Sequence, residues 1–146
     1  MKTAFYLLSI LLLVASCSEK KEASPGALSI SQESTQQVLD HHWKAFKAND
    51  LEGTMADYTE ESFLITPDKT YKGLAEIRQN FVNAFAAFPK DSSTLQLDKS
   101  VAVKDVGYII WQATTPKFKM SYGTDTFIIR NGKIIRQTFA GVFVPL

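Results

Sequence analysis

The sequence predicts an α+β domain in which helices come first and an antiparallel meander of strands follows. Apolar residues recur at helical spacing in two stretches between Glu33 and Phe88, β-branched and aromatic runs alternate from Thr94 to Val144, and Pro89 separates the two regimes.

Ahead of the domain, Met1-Lys2 leads into an apolar stretch from Ala4 to Ala15. That stretch has the length of a secretory h-region and falls short of the roughly 20 residues that span a bilayer. Small residues then precede the single cysteine in Leu13-Val14-Ala15-Ser16-Cys17, and the chain turns polar at Ser18-Glu19-Lys20-Lys21-Glu22. This run resembles a bacterial lipobox. The resemblance implies cleavage of a 1–16 signal peptide, lipidation of Cys17, and contact with the membrane through the lipid anchor only. Ser18 after the cysteine resembles lipoproteins of the outer membrane, so the expected location is the cell envelope, periplasmic side. The alternative is an ordinary secretory leader whose cleavage site happens to hold a cysteine. Residues 17–31 are small, polar and broken by Pro25-Gly26, and read as a flexible tether to a domain over 32–146.

Loss of Lys2 with the leader leaves equal numbers of acidic and basic residues. Without a basic stripe the chain is not expected to bind nucleic acid. Ten Phe and two Trp point to a core lined by rings.

Between Glu33 and Ala48, residues Val38, Leu39, His42, Ala45 and Phe46 share one helical face, with Asp40, Lys44 and Lys47 opposite. Asn49 interrupts, and Asp50 can cap a short second helix over Leu51 to Tyr58. Ser62 to Thr66 reads as a strand stopped by Pro67. A third helix follows Gly73, with Leu74, Ile77, Phe81, Ala84, Phe85 and Phe88 at helical spacing until Pro89. Strands are expected at Thr94–Leu97, Val101–Val103, Tyr108–Thr114, Lys117–Tyr122, Thr124–Arg130 and Lys133–Val144. The turn Asn131-Gly132 permits two registers. A type I′ turn pairs Arg130 with Lys133. A type I turn with a bulge at Gly132 pairs Asp125 with Gln137 and Phe127 with Ile135, segregates charge better, and is the favoured expectation. It puts Asp125, Phe127, Ile135, Gln137 and Phe139 on one face.

His42 is the sharpest chemical candidate, a polar ring at the centre of an apolar face. It suits proton transfer near neutral pH, or else it is a core histidine satisfied by a backbone carbonyl or by Tyr58. Asp125, on a face suited to burial, would have a raised pKa and act as a neutral acid, or else it fixes the sheet through Gln137 or the first helix. Trp111 alternates with Ile109 and Ala113 and is expected to point inward. Tyr58 and Tyr122 are each positioned to lend a hydroxyl. His41 and His42 diverge by about 100° on a helix, so no metal site is expected there, and no cofactor is implied.

Several segments in this order resemble the nuclear transport factor 2-like superfamily, in its SnoaL-like and ketosteroid isomerase-like branch. They are Ala48-Asn49-Asp50-Leu51-Glu52, Tyr58 to Ser62, Lys72-Gly73-Leu74-Ala75-Glu76-Ile77 and the hairpin Asp125 to Ile134. The resemblance covers roughly Val38 to Val142 and implies a cone: a strongly curved antiparallel sheet wrapped round the N-terminal helices, with an apolar pocket, in a homodimer. It implies that Thr66 stands where the isomerases keep a general base, that Asp125 matches their oxyanion-hole acid, and that His42 replaces their oxyanion-hole tyrosine. Phe46, Tyr58, Thr66, Phe81, Trp111, Gln137 and Phe139 become the expected ligand-binding residues, and His42 with Asp125 the expected acid/base pair. With Thr66 in place of the base, known isomerase chemistry is not expected. Three functions then follow: binding of an apolar small molecule, an isomerase, cyclase or hydratase, or a dimeric adaptor with no small-molecule pocket.

Overall fold

The computed structural model describes residues 30–146. The leader, Cys17 and most of the tether therefore lie outside the described residues. Three helices and six strands run in the order α1 (Gln32–Lys47), α2 (Leu51–Met55), β1 (Phe63–Ile65), β2 (Thr70–Lys72), α3 (Gly73–Ala87), β3 (Thr94–Val103), β4 (Val106–Thr114), β5 (Phe118–Arg130) and β6 (Lys133–Pro145). Among the described residues no helix is long and apolar enough to cross a membrane.

Helix α1 starts at Ser31, whose hydroxyl accepts from the Ser34 backbone N–H. It ends where Asn49 takes a left-handed φ of 53°, a conformation that asparagine tolerates. The Asn49 side chain donates to the Phe88 carbonyl and accepts from the Lys90 N–H, so the same residue ties α1 to the end of α3. Asp50 caps α2 as its position suggests, accepting from the Gly53 N–H at 2.9 Å.

All six strands form one sheet in the order β2-β1-β6-β5-β4-β3. The expected meander is present from β3 to β6, but the sheet is mixed rather than wholly antiparallel. Strand β1 lies parallel to β6, with Leu64 opposite Gln137. Strand β2, too short to leave a pattern, pairs antiparallel with β1.

Curvature comes from bulges. Register shifts leave Asp98 unmatched on β3, Ser121 on β5 and Ile135 on β6. Each extra residue bends its strand and increases the local twist. What reads in sequence as two strands around Gly123 is one strand with its bulge at Ser121. Gly123 lies opposite Trp111, and a Cβ there would come within 2.5 Å of Met120 and 3.2 Å of the indole. The glycine makes room for the ring.

The β5–β6 turn corrects the favoured register. Arg130 pairs with Lys133, and both Asn131 (φ 51°) and Gly132 (φ 69°) are left-handed, which is a type I′ turn. The bulge sits beyond the turn, at Ile135, instead of at Gly132. Asp125 therefore faces Phe139, and Phe127 faces Gln137. Ile135 leaves the inner face, and Ile134 is fully buried in its place. Charge still segregates, because the displaced bulge sends Arg136 outward.

Helices α1 and α3 lie on the concave side. Leu39, Phe46, Ile77, Phe81 and Phe88 meet Leu64, Ile109, Trp111, Phe127 and Ile129 in one core.

Candidate functional site

The concave side does not close completely on itself. Between α1, α3 and the sheet lies a cavity of about 650 Å³. Its lining includes eight of the nine residues expected from sequence to bind or react: His42, Phe46, Thr66, Phe81, Trp111, Asp125, Gln137 and Phe139. Trp43, Leu64, Phe88 and Phe143 also line it, and Asp68, Asn80 and Asn83 add polar groups. Alternation on β4, β5 and β6 aims Trp111, Asp125, Gln137 and Phe139 inward.

Tyr58 does not line the cavity. It is buried behind the polar groups, where its hydroxyl donates to Gln137 Oε1 and lies 3.4 Å from His42 Nε2. Burial, then the charges of Asp125 and Asp57, push the Tyr58 phenol well above its ordinary value, so it stays a neutral donor. Tyr122 is on the opposite, convex face with its hydroxyl 3.3 Å from that of Tyr108. Thr66 keeps its hydroxyl within its own turn, donating to Asp68 Oδ1 at 2.8 Å and accepting from the Lys69 N–H.

His42 is held by a residue the sequence did not single out. Asp57, 6% exposed, receives His42 Nδ1 on one carboxylate oxygen at 3.1 Å and His41 Nδ1 on the other at 2.8 Å. A carboxylate only accepts, so the proton of a neutral His42 ring sits on Nδ1 and its Nε2 turns toward Tyr58. Edge contacts with Tyr58, Phe81 and Phe127, at 5.4–5.7 Å between centroids, fix the ring plane. Asp57 follows α2 in an irregular segment, and the adjacent pair His41-His42 was the only signal pointing toward an acidic partner.

Asp125 sits on the inner face, with Trp111 Nε1 donating to one oxygen and Gln137 Nε2 to the other, each at 2.8 Å. His42 and Asp125 share the cavity without bonding directly, and the connection between them runs through Tyr58 and Gln137. Burial pushes the Asp125 carboxyl up to about 6, while the hydrogen bonds from Gln137 and Trp111 and the charge of His42 pull the other way.

The raised value has a thermodynamic consequence. The unfolded chain loses this proton near the ordinary 3.8, whereas the folded chain keeps it to about 6. The group's contribution to stability is therefore whole below about pH 4 and is lost as pH rises through about 6. The shift corresponds to roughly 3 kcal/mol. Urea unfolding of the wild type and Asp125→Asn across that window is expected to show the slope in the first and its loss in the second.

Among the described residues, no three His, Cys, Asp or Glu side chains converge as a metal would require. Comparison with known proteins gives one family match and many structural ones. Residues 39–137 match the model of the SnoaL-like domain. The fold is similar to that of a provisionally assigned ketosteroid isomerase from Kribbella flavida DSM 17836, with TM-score 0.64, 15% identity and coverage of 75% of this chain and 78% of that one. It is similar to a provisionally assigned polyketide cyclase from Sinorhizobium meliloti, with TM-score 0.63, 15% identity and coverage of 75% and 99%. An NTF-2 like protein from Burkholderia xenovorans LB400 is also similar, with TM-score 0.63, 15% identity and coverage of 75% and 84%. At that identity the likeness concerns the fold alone. Among curated proteins none matches the chain.

Proposed function

The chain belongs to the SnoaL-like domain family, and from that premise we propose that its cavity binds an apolar small molecule with a polar group directed at Asp125 and Gln137. The observation that carries this is the distribution of polarity: largely aromatic walls around a space of about 650 Å³, with His42, Asp125 and Gln137 brought together in one hydrogen-bonded group through Tyr58. Such a cavity supports a small-molecule role over an adaptor role. Native mass spectrometry of protein purified from its own cells tests it. A retained small molecule is expected, and Ala84→Trp, which fills the cavity from α3, should expel it. An adduct that survives Ala84→Trp would place the ligand elsewhere.

A second reading, a proton-transferring isomerase, cyclase or hydratase, is favoured by one feature. His42 is oriented by Asp57 in the same cavity as a carboxyl whose pKa is raised toward neutrality. Under that reading His42→Asn abolishes turnover while the adduct remains.

The convex sheet face supports a homodimer. Tyr108 and Ile110 on β4, Thr124, Thr126 and Ile128 on β5, and Thr138 and Ala140 on β6 form an uncharged patch, bordered by Lys99 and Arg136, around Thr126, which pairs with both Tyr108 and Thr138. Thr126→Arg is expected to halve the mass seen by sedimentation without changing far-UV circular dichroism. An unchanged mass would remove this face from consideration. Anchoring through lipidated Cys17 at the envelope is the companion proposal. Cys17→Ser should move the protein from the membrane fraction to the soluble fraction.

A further inference from the structure

Asp125 is a buried carboxyl that no cation among the described residues contacts directly. Its two hydrogen-bond partners, Trp111 and Gln137, are neutral. The titratable groups that face it are His42 from α1 and Tyr58 from the segment after α2. Tyr58 remains a neutral phenol, and His42 is already paired with the Asp57 carboxylate. Among the described residues no Lys or Arg side chain lines the cavity, whereas a second carboxylate, Asp68, does. An anionic ligand would meet two carboxyls, and the one basic side chain facing them, His42, is already bonded to Asp57. A neutral ligand would leave an ionised Asp125 buried and unpaired, which is costly.

The walls favour positive charge as well. Trp111 stands at the centre of a ring cluster with Trp43 at 5.7 Å, Phe46 at 5.6 Å and Phe139 at 6.0 Å between centroids. Ring faces attract cations, and more strongly where water is excluded. We propose that the ligand of this cavity carries a protonated amine seated against Asp125 among these rings, with an apolar body filling the remaining space. The proposal rests on the small-molecule reading above and adds the charge of the ligand to it. The ammonium supplies the one partner the site lacks. It also holds Asp125 ionised, against the burial that otherwise raises its pKa.

Both tryptophans of the chain, Trp43 and Trp111, line the cavity, so their emission reports its occupancy. Three probes of one shape separate the alternatives: 9-(aminomethyl)anthracene, 9-anthracenemethanol and 9-anthracenecarboxylate. At neutral pH the amine is expected to bind roughly tenfold or more tightly than the alcohol, with the carboxylate weakest. As pH falls through about 6, Asp125 gains its proton, and the amine should lose its advantage while the alcohol binds at least as tightly as before. Asp125→Asn should erase the preference and leave alcohol binding intact. The pH series on the wild type gives the same answer if that variant fails to fold. Alcohol binding equal to or tighter than amine binding, or an amine preference that ignores both pH and Asp125→Asn, overturns the amine assignment and leaves the cavity-binding reading standing. Silence from all three probes overturns both.

Discussion

Replacing Asp57 by alanine is expected to cost roughly 2–4 kcal/mol, because one deletion strips the anionic acceptor from two imidazoles at once. The two losses are unequal. The His41 side chain is half exposed and can turn to water. The His42 side chain is 5% exposed and enclosed by Tyr58, Phe81 and Phe127, so its Nδ1 has no replacement partner. Most of the cost therefore falls on His42. Asp57→Asn should cost less, since the amide oxygen can still accept from one ring. Urea unfolding at neutral pH gives the magnitudes. Imidazole nitrogen spectra give the mechanism: the Nδ1–H form of His42 should dominate in the wild type and lose its preference in Asp57→Ala. If Asp57→Ala leaves both stability and tautomer unchanged, Asp57 does not orient the ring.

Phe127→Ala is expected to be still more damaging, at roughly 3–5 kcal/mol. Phe127 is 1% exposed, lies opposite Gln137 on the inner face and meets the His42 ring edge-on at 5.4 Å. Its removal joins a new void to a space that is already open, and rigid strands on both sides prevent collapse. The variant should recover part of its loss when an apolar ligand occupies the enlarged cavity. Thermal unfolding with and without 9-anthracenemethanol checks both points. A loss below about 1 kcal/mol would mean that the surrounding structure relaxes into the gap.

The elements and the inner face of the sheet were largely legible in the sequence. Helical spacing located α1 and α3, Asp50 marked the start of α2, and alternation aimed Trp111, Asp125, Gln137 and Phe139 at a common space. These signals are local, and local periodicity survives folding. The failures have physical reasons too. The parallel pairing of β1 with β6 joins residues about seventy positions apart, and no local pattern encodes it. The β5–β6 bulge depended on which of two acceptable turns was used, and the charge criterion that chose between them was met equally well by a bulge at Ile135. Tyr58 and Asp57 sit in irregular backbone after α2, where neither a period of two nor one of 3.6 applies. Asp57, which holds the His42 ring through Nδ1, was therefore missed, and Tyr58 was placed one layer too far forward.

The place of β6 in the sheet sets an order for folding. Strand β6 follows the other described elements in sequence, yet it is central, flanked by β5 on one side and β1 on the other. The β1–β2 pair has no other strand to join until residues 136–138 arrive. A chain in which β6 has not yet paired can form α1 and the β3–β4–β5 meander but cannot seal the wall formed by β1. Completion of the sheet thus waits on the pairing of β6 with β1, and closing so long a loop is slow.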